Sequence, residues 1–371
     1  MRTPTPLSTL LAVAALTLAG APSGTAGPPL ATATPTLASS AAATVKISYV
    51  ARDLDNLGDA TSGPSIAAAV NNRGLVVGTT RQADGFDRAF RWDPATGKMT
   101  DLGTLGGRTS QGAGVNARGW IVGNAETPDF DSHAFLWDPS TRRMTDLGTL
   151  GGATSRALAI NDRGQIVGEA ETAAGVTHAL QWDPTRRRMV DLGTLGGAGS
   201  SAAAINARGQ IVGYAATAEG LSHAFRWDPS SRRLVDLGVL PGTVVSAARD
   251  INDRGQIVGT AADVGDNSSR AFLVDPRAQA MRNLPGIPAG STEGAAINNR
   301  GFVVGRTTTA QGELRAFLWS PLTRRGITLA GLRGADASAL DLNDACRMVG
   351  TGRGPSGEFA ALLWKPTATR S

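Results

Sequence analysis

A phrase of about 45 residues recurs seven times along the chain and fills most of its length. Its cleanest copy, residues 146–184, is DLGTLGGATSRALAINDRGQIVGEAETAAGVTHALQWDP. Each copy has an Asn before a turn and a Val-Gly pair after it. A fixed period of ~40–50 residues with several short strands is typical of β-propeller blades. The repeat therefore predicts an all-β, seven-bladed β-propeller. The repeated Asn residues are Asn71, Asn116, Asn161, Asn206, Asn252, Asn298 and Asn343.

Within one copy the pattern predicts a four-stranded antiparallel blade. Strand a covers 156–161, strand b 165–169, strand c 178–182 and strand d 189–192. An Asn-Asp-Arg-Gly turn joins strands a and b, and Gly takes the left-handed position that closes a short hairpin. Strand a is rich in Ala, whereas Trp stands near the end of strand c. Because blades converge at the axis, small residues fit the inner strand and large residues fit the outer strands.

The number of strands predicts how the ring closes. The chain has seven a-b-c sets, but no seventh strand d follows Pro366. A strand-d phrase, Asp53-Leu54, stands before the first strand a instead. We expect residues 46–54 to form the outer strand of the last blade, since this leaves no open three-stranded sheet at the end of the chain.

The repeat also resembles a known family. His133-Ala134-Phe135 and the run INDRGQIVG…HAFLWDP are similar to the HAF family of probable extracellular repeats, and the strand spacing is similar to a kelch blade. The resemblance covers roughly residues 53–366, although the fifth copy lacks the Trp and the seventh has Cys346 where the others have Gly. It implies an extracellular bacterial protein and brings no assigned activity or functional residues.

The residues before the repeats predict export. Arg2, an apolar run and Ala19-Gly20-Ala21 are typical of a secretory signal over residues 1–21, and the run is too short for a membrane span. Residues 22–44 are an uncharged Ala/Thr/Pro/Ser-rich linker, and residues 45–371 form the propeller. The single Cys excludes an internal disulfide. We expect an extracellular protein, with a periplasmic or cell-surface location as the alternatives.

Charge is distributed unevenly within each repeat. The a–b and c–d turns carry most of the Arg residues, whereas the b–c loops carry Asp and Glu, so we expect one basic and one acidic face. The basic turns are either a solvated rim or a site for an acidic polysaccharide or envelope polymer. We expect no nucleic acid, because the Arg turns lack interleaved aromatic residues. The candidate binding residues are Arg142, Arg143, Arg186, Arg187, Arg188, Arg232 and Arg233.

Catalytic and metal-binding patterns are few. His133, His178 and His223 occupy one repeat position on successive blades, so their rings lie too far apart for one zinc ion. We expect them to make a repeated structural hydrogen bond to the loop before strand a, and we expect no metal and no cofactor. Asp250 and Asp341 are the acidic residues of the inner strands. They are either structural partners of Arg249 or a carboxylate pair for glycoside hydrolysis.

These observations favour a binding or scaffold module for an extracellular polymer or protein partner. We expect it to be a monomer without catalytic activity. The alternative is a carbohydrate-active propeller enzyme that uses Asp250 and Asp341 near the central channel.

Overall fold

The computed structural model describes residues 45–54, 57, 63–263, 268–276, 280–287, 290–354 and 357–370. They form seven four-stranded antiparallel sheets, which confirms the predicted seven-bladed propeller. The other described element is a short 3-10 helix, Leu332–Gly334. In the described part of the chain, no helix has the length and apolar character needed to cross a membrane. The predicted signal sequence and linker, residues 1–44, lie outside the described residues.

Each blade runs from strand a at the axis to strand d at the rim. The inner strands a are β2 (Ser65–Val70), β6 (Ser110–Val115), β10 (Gly151–Ile160), β14 (Gly196–Ile205), β18 (Val245–Ile251), β22 (Thr292–Ile297) and β26 (Ala337–Leu342). Strands b are β3 (Val76–Arg81), β7 (Ile121–Glu126), β11 (Ile166–Thr172), β15 (Ile211–Thr217), β19 (Ile257–Ala262), β23 (Val303–Thr308) and β27 (Met348–Arg353). Strands c are β4 (Asp87–Asp93), β8 (Ser132–Asp138), β12 (Thr177–Asp183), β16 (Ser222–Asp228), β20 (Ser269–Val274), β24 (Leu314–Ser320) and β28 (Phe359–Arg370). Strands d are β5 (Lys98–Asp101), β9 (Arg143–Asp146), β13 (Arg188–Asp191), β17 (Arg233–Asp236), β21 (Met281–Asn283), β25 (Arg325–Leu329) and, in the seventh blade, β1 (Val45–Asp53).

Ring closure follows the prediction made from the strand count. Strand β1 pairs antiparallel with β28 in a continuous register from Val45↔Arg370 to Asp53↔Leu362. The Leu54 N–H then donates to the carbonyl oxygen of Ala361 at 3.0 Å. The seventh blade is thus built from both ends of the described chain, and the outer edge of its strand c is paired with a strand d, as in the other blades.

The hydrophobic core is divided among the junctions between blades. Each of seven buried clusters joins residues of two neighbouring blades. At the first junction, Ala89 of one blade packs in the same cluster as Phe135 and Trp137 of the next, and all three are buried. Small residues on one face therefore receive large residues from the other, as the size gradient along the repeat predicts.

The Gly of each Val-Gly pair marks a close approach of strands a and b. A Cβ at Gly168 would collide with the carbonyl oxygen of Arg156 on the neighbouring strand. A β-bulge follows at once, because the pairing shifts between Ala157 and Ala159. This bulge was not predicted from the sequence, and it recurs in all seven inner strands. It bends the inner strand next to the axis.

A closed ring of hydrogen bonds joins the seven a–b turns. Within each turn the Asn side-chain oxygen accepts two backbone N–H groups, as Asn206 does from Arg208 and Gln210 at 3.0 Å. The Asn206 amide then donates across the junction to the carbonyl oxygen of Asn252 at 3.1 Å. The same bond links each repeated Asn to the next, and Asn343 closes the ring on Asn71.

A second polar contact crosses the junctions at the start of strand a. The buried Ser200 hydroxyl accepts the N–H of Ala179 in the preceding blade at 2.8 Å and donates to the carbonyl oxygen of Gly193 at 2.6 Å. At the closing junction, Ser65 accepts the N–H of Ala361 in the same way. Each strand-c N–H bound in this way is satisfied inside the core, where an unpaired donor costs ~1–3 kcal/mol.

Closure gives the first testable prediction. Deleting residues 46–58 removes strand β1 and exposes the edge of β28, so we expect the melting midpoint to fall by roughly 5–10 °C relative to the full chain. Deleting residues 22–44 removes no described strand, and we expect an unchanged midpoint. Differential scanning calorimetry of the two deletions decides the matter, and equal midpoints would contradict a closing role for β1.

The ring of Asn hydrogen bonds predicts the effect of replacing one of its members. Replacing Asn206 by Ala removes one inter-blade donor and one acceptor of two buried N–H groups, so we expect a loss of about 2–4 kcal/mol in the free energy of unfolding. Asn124→Ala is the control, since its side chain makes one hydrogen bond, to Ser132, and we expect a loss of about 1 kcal/mol. Urea denaturation measures both; a similar loss in the two variants would argue against the ring.

Candidate functional site

The two ends of the blades differ in chemistry. The a–b and c–d turns lie at one end, which we call the turn face, and the b–c loops and d–a crossings lie at the other, the loop face. All seven candidate Arg residues are exposed on the turn face, in or directly after the c–d turns of the second to fourth blades. The exposed loops of the opposite face carry Asp84, Asp129, Asp131 and Glu219.

The c–d turns hold four Arg residues in an unusual backbone conformation, among them Arg324 of the sixth blade with a φ angle of 54°. Arg142, Arg187 and Arg232 have φ angles of 56°, 49° and 53°, and the first blade has Gly97 at the same position. An L-residue in this left-handed conformation costs roughly 1–2 kcal/mol, which Gly avoids. The turn itself is built by other groups: the Arg142 N–H donates to the carbonyl oxygen of Asp138 at 2.7 Å. The fold therefore has no need of Arg at these positions.

The candidate Arg side chains are largely free of ion pairs. Arg186 pairs with Asp183 at 2.7 Å while its side chain stays 64% exposed. Among the described residues, none of the other six candidates has an ion pair within 4.0 Å. The Arg186 hydrogen bond lowers the pKa of Asp183, and the Ser140 side-chain hydrogen bond lowers the pKa of Asp138. Both turn carboxylates are thus occupied within their own turns.

A groove between the third and fourth blades gathers part of this charge. It has a volume of about 640 Å³ and is lined by Arg163 from an a–b turn, by Arg186 and Arg232 from c–d turns and by Arg188 at the start of β13. Asp183 and Asp191 also line it. The other candidates, Arg142, Arg143, Arg187 and Arg233, lie outside its lining. Arg163 belongs to an a–b turn and was not among the candidate binding residues, because its closeness to the c–d turns appears only in three dimensions.

The axis of the propeller opens into a smaller polar cavity. It has a volume of about 220 Å³, and its lining comes from all seven blades and includes six of the seven repeated Asn residues. Beside the Asn ring, the second turn residues also bond across junctions: the Ala207 N–H donates to Asp253 at 2.8 Å, and Asp344 accepts the Asn299 N–H at 2.9 Å. These carboxylates are therefore engaged in holding neighbouring turns together.

Asp250 and Asp341 lie on the inner strands β18 and β26 and bridge blades. Asp250 accepts the N–H of Ile251 at 2.8 Å and that of Ile297 in the next blade at 2.7 Å. Asp341 accepts the N–H of Leu342 and that of Val70 across the closing junction, both at 2.7 Å.

The expected pairing of Asp250 or Asp341 with Arg249 was wrong. Neither carboxylate forms an ion pair in the described structure. Arg249 is the bulged residue of its strand, between Ala248 and Asp250 in the register. Backbone N–H groups, and not the Arg249 guanidinium, are the partners of the two carboxylates.

Burial changes the protonation of both carboxyl groups. It raises the pKa of Asp250 to about 6 and that of Asp341 to about 8, against the opposing effect of the backbone hydrogen bonds. The Asp250 charge contributes to the raised pKa of Asp341. The carboxyl oxygens are already engaged as hydrogen-bond acceptors, so the geometry favours a structural clamp over acid–base chemistry.

The three His residues make a repeated hydrogen bond, as expected, but its partner lies in strand d and not in the loop before strand a. Each Nδ1 lies 2.8 Å from the carboxylate of the last residue of strand d, where the crossing to the next strand a begins. A carboxylate only accepts, so Nδ1 is the donor. The partners are His133 with Asp146, His178 with Asp191 and His223 with Asp236. No cluster of three or more metal-ligating residues occurs in the described ranges.

No protein-family model matches the sequence, and a comparison with curated proteins finds no relative. Solved structures show the fold. The β-propeller domain of the trilobed protease from Pyrococcus furiosus, which has an open velcro topology, is 12% identical, with a TM-score of 0.58 over 84% of this chain and 96% of that domain. Oligogalacturonate lyase from Vibrio parahaemolyticus is 9% identical, with a TM-score of 0.57 over 87% and 98%. TolB from Acinetobacter baumannii is 13% identical, with a TM-score of 0.46 over 63% and 62%, so this chain spans less than two thirds of TolB. At these identities the similarity supports the β-propeller fold and no activity.

The buried carboxyl groups predict a pH-dependent stability. Folding raises the pKa of Asp341 from 3.8 to about 8, so the folded chain binds this proton more tightly than the unfolded chain. Its contribution to stability is therefore fully present below pH 3.8 and is lost as the pH rises through about 8. We expect the difference in unfolding free energy between the wild type and Asp341→Asn to shift in favour of the variant over this range.

Urea denaturation between pH 4.5 and 9 measures this difference. Asp129→Asn, at an exposed position, is the control and should give a curve parallel to that of the wild type. A parallel curve for Asp341→Asn as well would mean that the carboxyl group keeps an ordinary pKa in the fold.

Proposed function

We propose that the protein is a β-propeller binding module that acts outside the cytoplasm and takes an acidic polymer on its turn face. One observation carries the proposal: exposed Arg residues occupy the left-handed position of the c–d turn on three successive blades, where Gly97 serves the first blade. Arg at this position destabilises the turn and gains no burial, so its value lies in the charge that it presents.

The groove between the third and fourth blades supports a polymer rather than a small ion. Four Arg residues from two blades line one continuous volume of about 640 Å³, which gives several cationic contacts to one chain of acidic units. Guanidinium groups bind carboxylates and phosphates in a bidentate manner. The acidic loop face opposes such a ligand, so binding is expected at one end of the propeller.

The proposed location rests on the sequence. The N-terminal apolar run with its small-residue cleavage site and the resemblance to the HAF family both support export of a bacterial protein. One protein of similar fold is an oligogalacturonate lyase. We take polygalacturonate from that name as a convenient probe, without transferring the activity.

The experiment compares two triple variants of the full chain. Arg142→Gly, Arg187→Gly and Arg232→Gly together remove three charges and restore the residue that the first blade uses. We expect binding to polygalacturonate to weaken about tenfold, or ~1.4 kcal/mol, with an unchanged or higher melting midpoint. The control combines Arg81→Gln, Arg333→Gln and Arg353→Gln, which remove the same amount of charge from the loop face. Its affinity for polygalacturonate should stay within about twofold of that of the wild type.

Salt and turnover complete the test. Binding measured by calorimetry should weaken between 50 and 300 mM NaCl, because exposed charges are screened. Equal losses in the two triple variants, or no binding of polygalacturonate, hyaluronate or a polyphosphate, would overturn the proposal. Preference for a single-stranded oligonucleotide over all three would overturn the choice of polymer. Cleavage of any polymer would show an enzyme and would overturn the proposal of a binding module.

A further inference from the structure

One b–c turn of the loop face differs from the other described turns at a single position. Five described turns place Gly at the same position, with φ angles between 76° and 85°. The second blade has Phe130 there, with φ of 67°. The hydrogen bond that closes the turn is unchanged, since the Phe130 N–H donates to Thr127 at 3.0 Å and the Gly85 N–H donates to Gln82 at 2.9 Å. The glycines are Gly85, Gly175, Gly220, Gly312 and Gly357.

Phe130 contributes little to the fold in this conformation beyond a cation–π contact with Arg108. A bulky L-residue with positive φ is a strained outlier, and Gly would adopt the same backbone without strain. The Phe130 side chain also gains little burial, because the residue is 64% exposed. Strained residues that the structure does not need are typical of functional sites. The phenyl ring is therefore best explained by something that it contacts outside the chain.

Two further departures from the repeat meet at the same place. The Arg108 guanidinium lies 5.4 Å from the ring centre of Phe86 and 5.8 Å from that of Phe130, so it contacts both rings. Other copies have Ala153 and Ala198 in place of Arg108. Cation–π contacts at these distances hold the three side chains as one unit at the junction of the first two blades.

The backbone around this unit is fixed from both blades. Glu126 accepts the N–H groups of Arg108 and Thr109, which holds the crossing strand against the second blade. Asp84 accepts the Phe86 N–H at 2.9 Å and pairs with Arg88 at 3.2 Å in the first blade. The site is thus preorganised, with two aromatic rings on ordered turns.

The chemistry of the surroundings selects the ligand. A ring face next to a guanidinium and exposed carboxylates, here Asp129 and Asp131, offers apolar contact together with hydrogen-bond donors and acceptors. A pyranose has the same combination, with C–H groups on its ring faces and hydroxyls on its edge. The carboxylates on this face repel polyanions, so a neutral sugar fits better than an acidic one.

We propose that Phe86, Arg108 and Phe130 form a binding site for a neutral saccharide, with one sugar ring stacked on Phe130 and its hydroxyls bonded by Arg108 and the flanking carboxylates. This site is separate from the turn face and does not depend on the proposed polyanion binding. It gives the propeller two surfaces that differ in the charge of their ligands.

The test is saturation-transfer NMR on the full chain with cellohexaose, maltohexaose, mannohexaose and chitohexaose at millimolar concentrations, irradiating the aromatic protons. We expect at least one hexasaccharide to receive saturation. Phe130→Gly should weaken its binding at least tenfold while leaving the melting midpoint unchanged or raised by a few degrees. Phe130→Tyr should retain the binding, because the ring remains.

Two controls separate this site from the rest of the molecule. Leu322→Ser removes the most exposed large apolar side chain of the described residues, on the turn face, and should leave hexasaccharide binding unchanged. Phe130→Gly should leave polygalacturonate binding unchanged, so failure of one proposal is distinguishable from failure of the other.

Three outcomes would overturn the saccharide site. One is the absence of transfer to all four hexasaccharides. Another is a Phe130→Gly variant that binds as tightly as the wild type or melts well below it, since the ring would then serve no ligand or would serve the fold. The last is self-association of the wild type in sedimentation that Phe130→Gly abolishes, because a second copy would then be the occupant.

Discussion

The propeller depends on the hydrogen-bonded ring of seven Asn side chains around its axis. Each Asn satisfies two N–H groups of its own turn and donates to the carbonyl oxygen of the next turn, as Asn252 does to Asn298 at 3.0 Å. One side chain thus fixes both the shape of a turn and the spacing of two blades. Because the bonds form a closed circuit, an error in the position of one blade would disturb every junction. The bulges and Ala-rich inner strands bring the turns close enough for this contact.

Stability is spread over seven similar junctions instead of one central core. Each junction combines a small hydrophobic cluster with an Asn bond, and most add a Ser or Thr that accepts a strand-c N–H, such as Thr292 at 3.0 Å. In the seventh blade Ala337 stands where the others have Ser or Thr, so the sixth junction lacks this bond. That junction instead holds the ion pairs of Arg315 with Glu313 and Asp336. Nearest-neighbour stabilisation of this kind is typical of repeat architectures.

Periodicity predicted the strands, the blade number and the closing strand, because these follow from local pattern and from counting. It did not predict contacts that depend on the distance between blades. The repeated Asn was recognised as a turn residue, but its bond to the next blade requires the curvature of the ring. Asp250 was paired with Arg249 in the prediction because they are adjacent in sequence, whereas the bulge separates their surroundings. Phe130 was visible in the sequence, yet only the φ angles of the aligned glycines show that it occupies a left-handed position.

The antiparallel pairing of β1 with β28 also determines how the ring responds to mechanical load. The pair Val45↔Arg370 stands at the turn-face end of the register and Asp53↔Leu362 at the loop-face end. Because Val45 and Arg370 lie at the same end of the register, tension applied between them would load this pair first and then the next, so β1 would separate from β28 one pair at a time. Separating two antiparallel strands one residue pair at a time requires less force than shearing all their hydrogen bonds at once. The closing strand β1 would therefore detach first when Val45 and Arg370 are pulled apart, and its loss would open the ring.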